Sequence, residues 1–157
     1  MKKNKWIVYF LLCINGVCLL LMWIQQECIA GWKRKAEKRK AQYMVMNQWV
    51  RINQEGKTLE SYFVKNDYTR IIICGMNHIG KRLLKELKDS EVEIICGIDR
   101  KAKSISADIK VITLKSCVPK ADAVIVTLVE GFDEITEALA DKVRCPVISL
   151  ADIFNEI

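Results

Sequence analysis

A short set of residues has the types and spacing to hold a phosphorylated ribonucleotide. Gly75, Asn77 and Gly80 stand at the three marked positions of a G-x-G-x-x-G turn, with asparagine in the middle, and Asp99 follows 19 residues after Gly80. In such a turn the first glycine makes the bend, the second admits a pyrophosphate, and the third lets the next helix pack on the strand; the acidic residue receives ribose hydroxyls. Asparagine tolerates positive φ, so the bend can survive the replacement. Its side chain, however, takes the space where a diphosphate would lie. The helix start still offers free N–H groups and positive dipole. The candidate nucleotide site is thus the whole turn, Gly75, Met76, Asn77, His78, Ile79 and Gly80, together with Asp99, Arg100 and Thr127. Its ligand would be NAD(P) or a nucleotide-sugar. Arg100, Lys101 and Lys103 could neutralise a 2′-phosphate or another anion, although a charge run is more usually a solvated loop. The competing reading is a nucleotide architecture that has kept its form and lost its ligand.

Catalytic groups are scarce. A Tyr-x-x-x-Lys pair after the fourth strand would mark an NAD(P)-dependent oxidoreductase or epimerase, but no tyrosine follows Tyr68. Tyr62 and Lys65 have the wrong spacing and precede the first strand. His78 is the single histidine, at a helix start whose dipole favours its neutral form, and Cys117 has no histidine nearby in sequence. Seven cysteines with no C-x-x-C and one histidine suggest neither a disulfide framework nor a zinc site. The pattern argues against autonomous catalysis.

The elements that would position the turn alternate between strand and helix. Residues 71–74 form an apolar run too short for a helix, as expected for a strand buried on both faces of a parallel sheet. Ile79, Leu83, Leu84 and Leu87 then recur at helical spacing, and residues 92–98 form a second strand ending on Asp99. Further strands are expected over 110–114, 121–129 and 145–150. A helix over 132–143 turns Ile135, Leu139 and Val143 inward, and 151–157 forms a terminal turn or short helix. Right-handed crossovers give a Rossmann-like, doubly wound parallel sheet of about five strands in the order 3-2-1-4-5. Asn77, His78 and Thr127 would face the crevice at the carboxyl ends of strands one and four. Upstream, residues 33–54 read as a helix with a stripe of Tyr43, Met46 and Val50 and Trp49 beside it, for packing on the domain or on a second copy of the chain. Gly56 ends it, and Thr58 caps a short helix whose Leu59, Tyr62 and Phe63 cover one edge or end of the sheet.

Residues 6–24 carry no charge and are interrupted only by Asn15 and Gly16. As a helix they cover roughly 28 Å, close to the hydrocarbon thickness of about 30 Å, with Trp6, Tyr9 and Trp23 near the ends. A cleaved signal peptide has a shorter apolar region, so a retained single-span anchor is the expectation. Three basic residues (Lys2, Lys3, Lys5) precede the span and six (Lys33, Arg34, Lys35, Lys38, Arg39, Lys40) follow it, which places the C-terminal domain in the cytoplasm. The formal net charge of +6 is uneven. Residues 1–68 hold 12 Lys and Arg against 5 Asp and Glu, and residues 69–157 hold 13 against 14. The basic cluster therefore suits anionic lipid headgroups rather than nucleic acid. The expected organisation is a basic tail and transmembrane helix (1–24, span 6–24), a basic juxtamembrane helix or linker (25–56), and a Rossmann-like domain (57–157).

The segments QWVRINQEGKTLESYF, IIICGMNHIGKRLLKEL, GIDR, ADAVIVTLVEGFDEI and CPVISLADIF, within residues 47–157, resemble a group of small Rossmann-like domains encoded with bacterial surface-polysaccharide enzymes. These occur alone or fused to glycosyltransferases and phosphocholine-transfer-type proteins. Typical members show Y-G-M-G-x-x-G at the turn, where this chain has Cys74 and Asn77 for the tyrosine and the middle glycine. The resemblance implies a membrane-anchored module accessory or regulatory to cell-surface polysaccharide biosynthesis, binding a nucleotide or nucleotide-sugar. The alternative is a ligand-free scaffold that docks a membrane glycosyltransferase or self-associates as a homodimer.

Overall fold

Two strands whose apolar residues are all buried build the centre of a sheet, β1 (Arg70–Cys74), in which only Arg70 is exposed, and β4 (Ala123–Val126). The computed structural model describes residues 3–128 and 131–157. They pair in parallel, Ile73 opposite Ile125, and β1 pairs on its other side with β2 (Glu93–Ile98), Ile73 opposite Gly97. With β3 (Val111–Ile112) and β5 (Val147–Ser149) at the edges, the sheet is all-parallel in the order β3-β2-β1-β4-β5. This is the expected strand order. The register shifts between Ile71 and Ile72, so that Ile95 bulges out of the β1–β2 ladder.

The strands are shorter than the apolar runs suggest, and each end has a local cause. β3 stops at Thr113, where the chain turns with the Ser116 N–H donating to the Thr113 carbonyl at 2.9 Å. β4 stops before Thr127, whose hydroxyl turns back onto the loop after β1. β5 starts after Pro146, which has no N–H to give a ladder, and ends on Ser149, whose Oγ accepts from the Ala151 N–H and starts α5 (Leu150–Glu156). Likewise α4 spans Phe132–Ala140 rather than reaching Val143.

Alternate residues of β1 and β4 serve two cores. Ile71, Ile73, Ala123 and Ile125 face a thick layer built from α2 (Leu59–Lys65), α3 (His78–Glu86), α5 and the end of α1 (Lys3–Gln54). Ile72, Cys74, Val124 and Val126 face a thinner layer in which Leu139 of α4 is the fully buried helical residue. The α1 residues that enter the thick layer are Val45, Trp49 and Ile52, one helical stripe. This corrects the expected stripe: Tyr43 and Val50 are exposed, and only Met46 of that trio packs against the core. The phase is set by a distant partner, since the Trp49 ring meets the Phe154 ring at 5.3 Å and its indole N–H donates to the Glu86 carboxylate.

The chain divides into two compact units, Met1–Lys40 and Ala41–Ile157. The last turns of α1 thus belong to the unit that holds the sheet. The apolar span and the basic stretch lie in one helix because residues 25–32 contain no proline and a single glycine. Among the described residues one helix is long and apolar enough to cross a membrane, Leu12–Gln54, with a mean hydropathy of 1.5 in its most apolar window and none of that window buried. The large side chains Trp6, Phe10, Leu19 and Trp23 of α1 are exposed.

Candidate functional site: the glycine turn

The turn follows β1 directly. Gly75 has φ of +101°, a conformation that side chains rarely adopt, and a Cβ there would lie 2.7 Å from Thr127 Oγ1. Gly80 is more constrained still, because its Cβ would lie 2.0 Å from the Gly75 carbonyl oxygen. The first turn of α3 therefore rests on the backbone of the turn before it. Thr127, buried at the end of β4, locks the pair by donating its hydroxyl to the Gly75 carbonyl, with the Cys74 carbonyl 3.3 Å away.

Asn77 is the N-cap of α3. Its φ is −73°, so the tolerance of asparagine for positive φ is not used. Its side-chain oxygen instead accepts from the N–H groups of Ile79 at 2.8 Å and Gly80 at 3.2 Å. These are orphan donors of the helix start, the groups a bound phosphate would otherwise take. Asp99 is similarly engaged. One carboxylate oxygen accepts from the Met76 N–H at 2.9 Å and the other from the Lys101 N–H at 2.8 Å, which ties the turn to the loop after β2. With Asn77 and Asp99 in this arrangement, the N–H groups of Met76, Ile79 and Gly80 are all used within the chain.

The remaining candidates separate. Met76 is buried, its side chain lying over Gly97, where a Cβ would meet Met76 Sδ at 2.8 Å. Ile79 is part of the thick core. His78 and Arg100 are exposed. A cavity of about 200 Å³ does open at the carboxyl ends of β1 and β2, lined by Cys74, Gly75, Asp99, Arg100, Leu128 and Glu134 among others. Asn77, His78 and Thr127 do not line it. Glu134 does, and sequence reading overlooked it; the signal available was an acidic residue in the first turn of α4, after Gly131 with φ of +76°. The volume is below the range of about 300–1,000 Å³ usual for small-molecule sites.

Neither nucleophile nor metal ligands gather here. Burial, with the Asp99 carboxylate adding to it, pushes the Cys74 thiol up to about 12, so it stays protonated at neutral pH. Among the described residues no group of three or more His, Cys, Asp or Glu could hold a metal ion. Compared with family models, curated proteins and solved structures, the chain matches none.

Proposed function

We propose that this chain is a membrane-anchored, Rossmann-like interaction module, accessory to cell-surface polysaccharide biosynthesis, whose folded unit lies in the cytoplasm and docks a membrane glycosyltransferase or a second copy of itself. The observation that carries the reading is the Asn77 cap, which occupies the phosphate-binding N–H groups of Ile79 and Gly80. The apolar, exposed part of α1 supports the anchor. The basic residues from 33 to 40 support a cytoplasmic flank against anionic headgroups. The polysaccharide context rests on the resemblance of residues 47–157.

The test is a ligand panel on the full chain in nonionic micelles. NAD, NADP, UDP-sugars and CDP-compounds at millimolar concentration should leave the melting temperature unchanged. A ligand at a hundred times its Kd stabilises by about 2.7 kcal/mol, so a saturable upward shift with any of them would overturn the scaffold reading. Orientation has its own test. Cys117 is exposed, and a membrane-impermeant maleimide should label it only after permeabilisation.

A second reading, a nucleotide or nucleotide-sugar module, is favoured by the positive φ of Gly75 and the close approach of Gly80 to its carbonyl. Those constraints are the ones a dinucleotide turn imposes. It requires the Asn77 side chain to leave the helix start.

A further inference from the structure

A cavity larger than the one at the glycine turn lies elsewhere on the same sheet. A groove of about 750 Å³ runs along α3 to the amino end of β2. It exists because the crossover from β2 to β3 contains a three-residue 3-10 turn, Ala102–Ser104, in place of a helix that would cover the sheet beside α3. Of its apolar lining, Leu87 and Val92 are buried, while Leu84, Ile94, Ala107 and Ile109 are only partly buried against the core below.

The rim is charged unevenly. Lys81 and Lys85 stand at i and i+4 on α3 and Lys88 in the turn that follows it, and none makes an ion pair among the described residues. Of the carboxylates on the rim, Glu93 is paired with Arg70 at 3.3 Å, which leaves Glu91 at the turn after α3 and Asp108 on the opposite wall. A half-covered apolar floor beside a row of unpaired ammonium groups matches a ligand with an apolar body and an anionic head. A phosphate monoester has the charge to engage two lysines at once. The volume lies within the usual range for small-molecule sites.

We propose that this groove binds a single-chain amphipathic phosphate, its alkyl part on Leu84, Ile94, Ala107 and Ile109 and its phosphate on Lys81, Lys85 and Lys88. The site is independent of the glycine turn, and its occupancy does not depend on whether that turn takes a nucleotide.

Lysine acetylation footprinting of the full chain in nonionic micelles tests this, read by peptide mass spectrometry with octyl phosphate as the probe. At about five times its half-saturating concentration the probe should slow acetylation of the three groove lysines about sixfold, the mass-action factor. Lys101, Lys103 and Lys115, which lie outside the groove, should keep their rates. Ala107→Glu, which adds a carboxylate to the half-exposed floor, should abolish protection while leaving the melting temperature near that of the parent. Lys85→Glu should abolish it at Lys81 and Lys88. Equal protection by inorganic phosphate, by octanol or by octyltrimethylammonium would overturn the ligand class. Absence of protection, or uniform protection of all lysines, would overturn the site.

Discussion

The glycine turn and the groove along α3 use their polar groups in opposite ways. At the turn, Asn77 and Asp99 direct their oxygens to backbone N–H groups of the chain itself, Thr127 gives its hydroxyl to a backbone carbonyl, and about 200 Å³ of space is left. Along α3, three lysines border about 750 Å³ of space over a half-covered apolar floor. Ligands of open α/β sheets are expected at the carboxyl ends of the strands, where the turn lies. Here the N–H groups of Met76, Ile79 and Gly80 at that end are taken by short-range hydrogen bonds, and the larger of the two cavities lies on the side where a crossover helix is missing. A motif locates the turn, but how its donors are already used decides what it can hold.

Four changes would break or sharpen this contrast. Gly80→Ala should have the largest effect. Alanine is the better helix former by about 1 kcal/mol, yet its Cβ would lie 2.0 Å from the Gly75 carbonyl oxygen, so the turn or the helix must move. A loss of about 3 kcal/mol or more in urea denaturation is expected, at the upper end for overpacking. A loss under about 1 kcal/mol would mean that the turn is loose enough to admit a ligand after all.

Alkaline pH tests the turn's buried thiol next. The folded pKa of Cys74 is raised to about 12 from an ordinary 9.0, so the folded state holds a proton that the unfolded state releases. Its stabilising contribution is complete below pH 9.0 and is lost as pH rises toward about 12, by at most about 1.4 kcal/mol per unit. Cys96 and Cys145 shift in the same direction, chiefly through burial. Cys117 is exposed and should alkylate near pH 8 with iodoacetamide while Cys74 does not; prompt modification of Cys74 would show the turn opening.

Asp99→Ala should destabilise by about 1–3 kcal/mol, since the N–H groups of Met76 and Lys101 lose their acceptor. Unchanged stability would free this carboxylate for a ribose. Asn77→Gly has the smallest expected effect on folding, a few tenths of a kcal/mol, because glycine is itself a tolerable N-cap. It exposes the N–H groups of Ile79 and Gly80. If the nucleotide panel then gives a saturable shift that the parent lacks, the Asn77 side chain is what excludes the phosphate. If it still gives none, the turn itself does not accept one.

The sheet was legible because its signals are local. The runs 71–74 and 123–126 are apolar on both faces, and Gly75 and Asp99 mark where β1 and β2 end. The role of Asn77 was legible too, since asparagine directly before a helical apolar pattern is a standard N-cap signal. The glycine-motif reading drew attention to φ and away from that cap. The stripe on α1 was not legible. Tyr43, Val45, Met46, Trp49, Val50 and Ile52 place apolar residues around much of the helix, and Phe154, more than a hundred residues away, decides which of them turn inward. The groove was hidden for a similar reason: residues 99–110 have no helical periodicity, and the space left by an absent helix has no sequence signature.

The burial of Trp49 has a spectroscopic consequence. Of the four tryptophans, Trp6, Trp23 and Trp32 are at least 61% exposed, while Trp49 is fully enclosed with its ring against Phe154 and the Arg82 guanidinium 5.4 Å from the ring centroid. Replacing the three exposed indoles with phenylalanine leaves one indole, selectively excited at the red edge of its absorption, at the place where α1, α3 and α5 meet. Its emission should be blue-shifted in the folded chain and should move to the red only when the end of α1 leaves its seat. The junction between the end of α1 and the sheet can thus be followed optically, without a label and without interference from the other indoles.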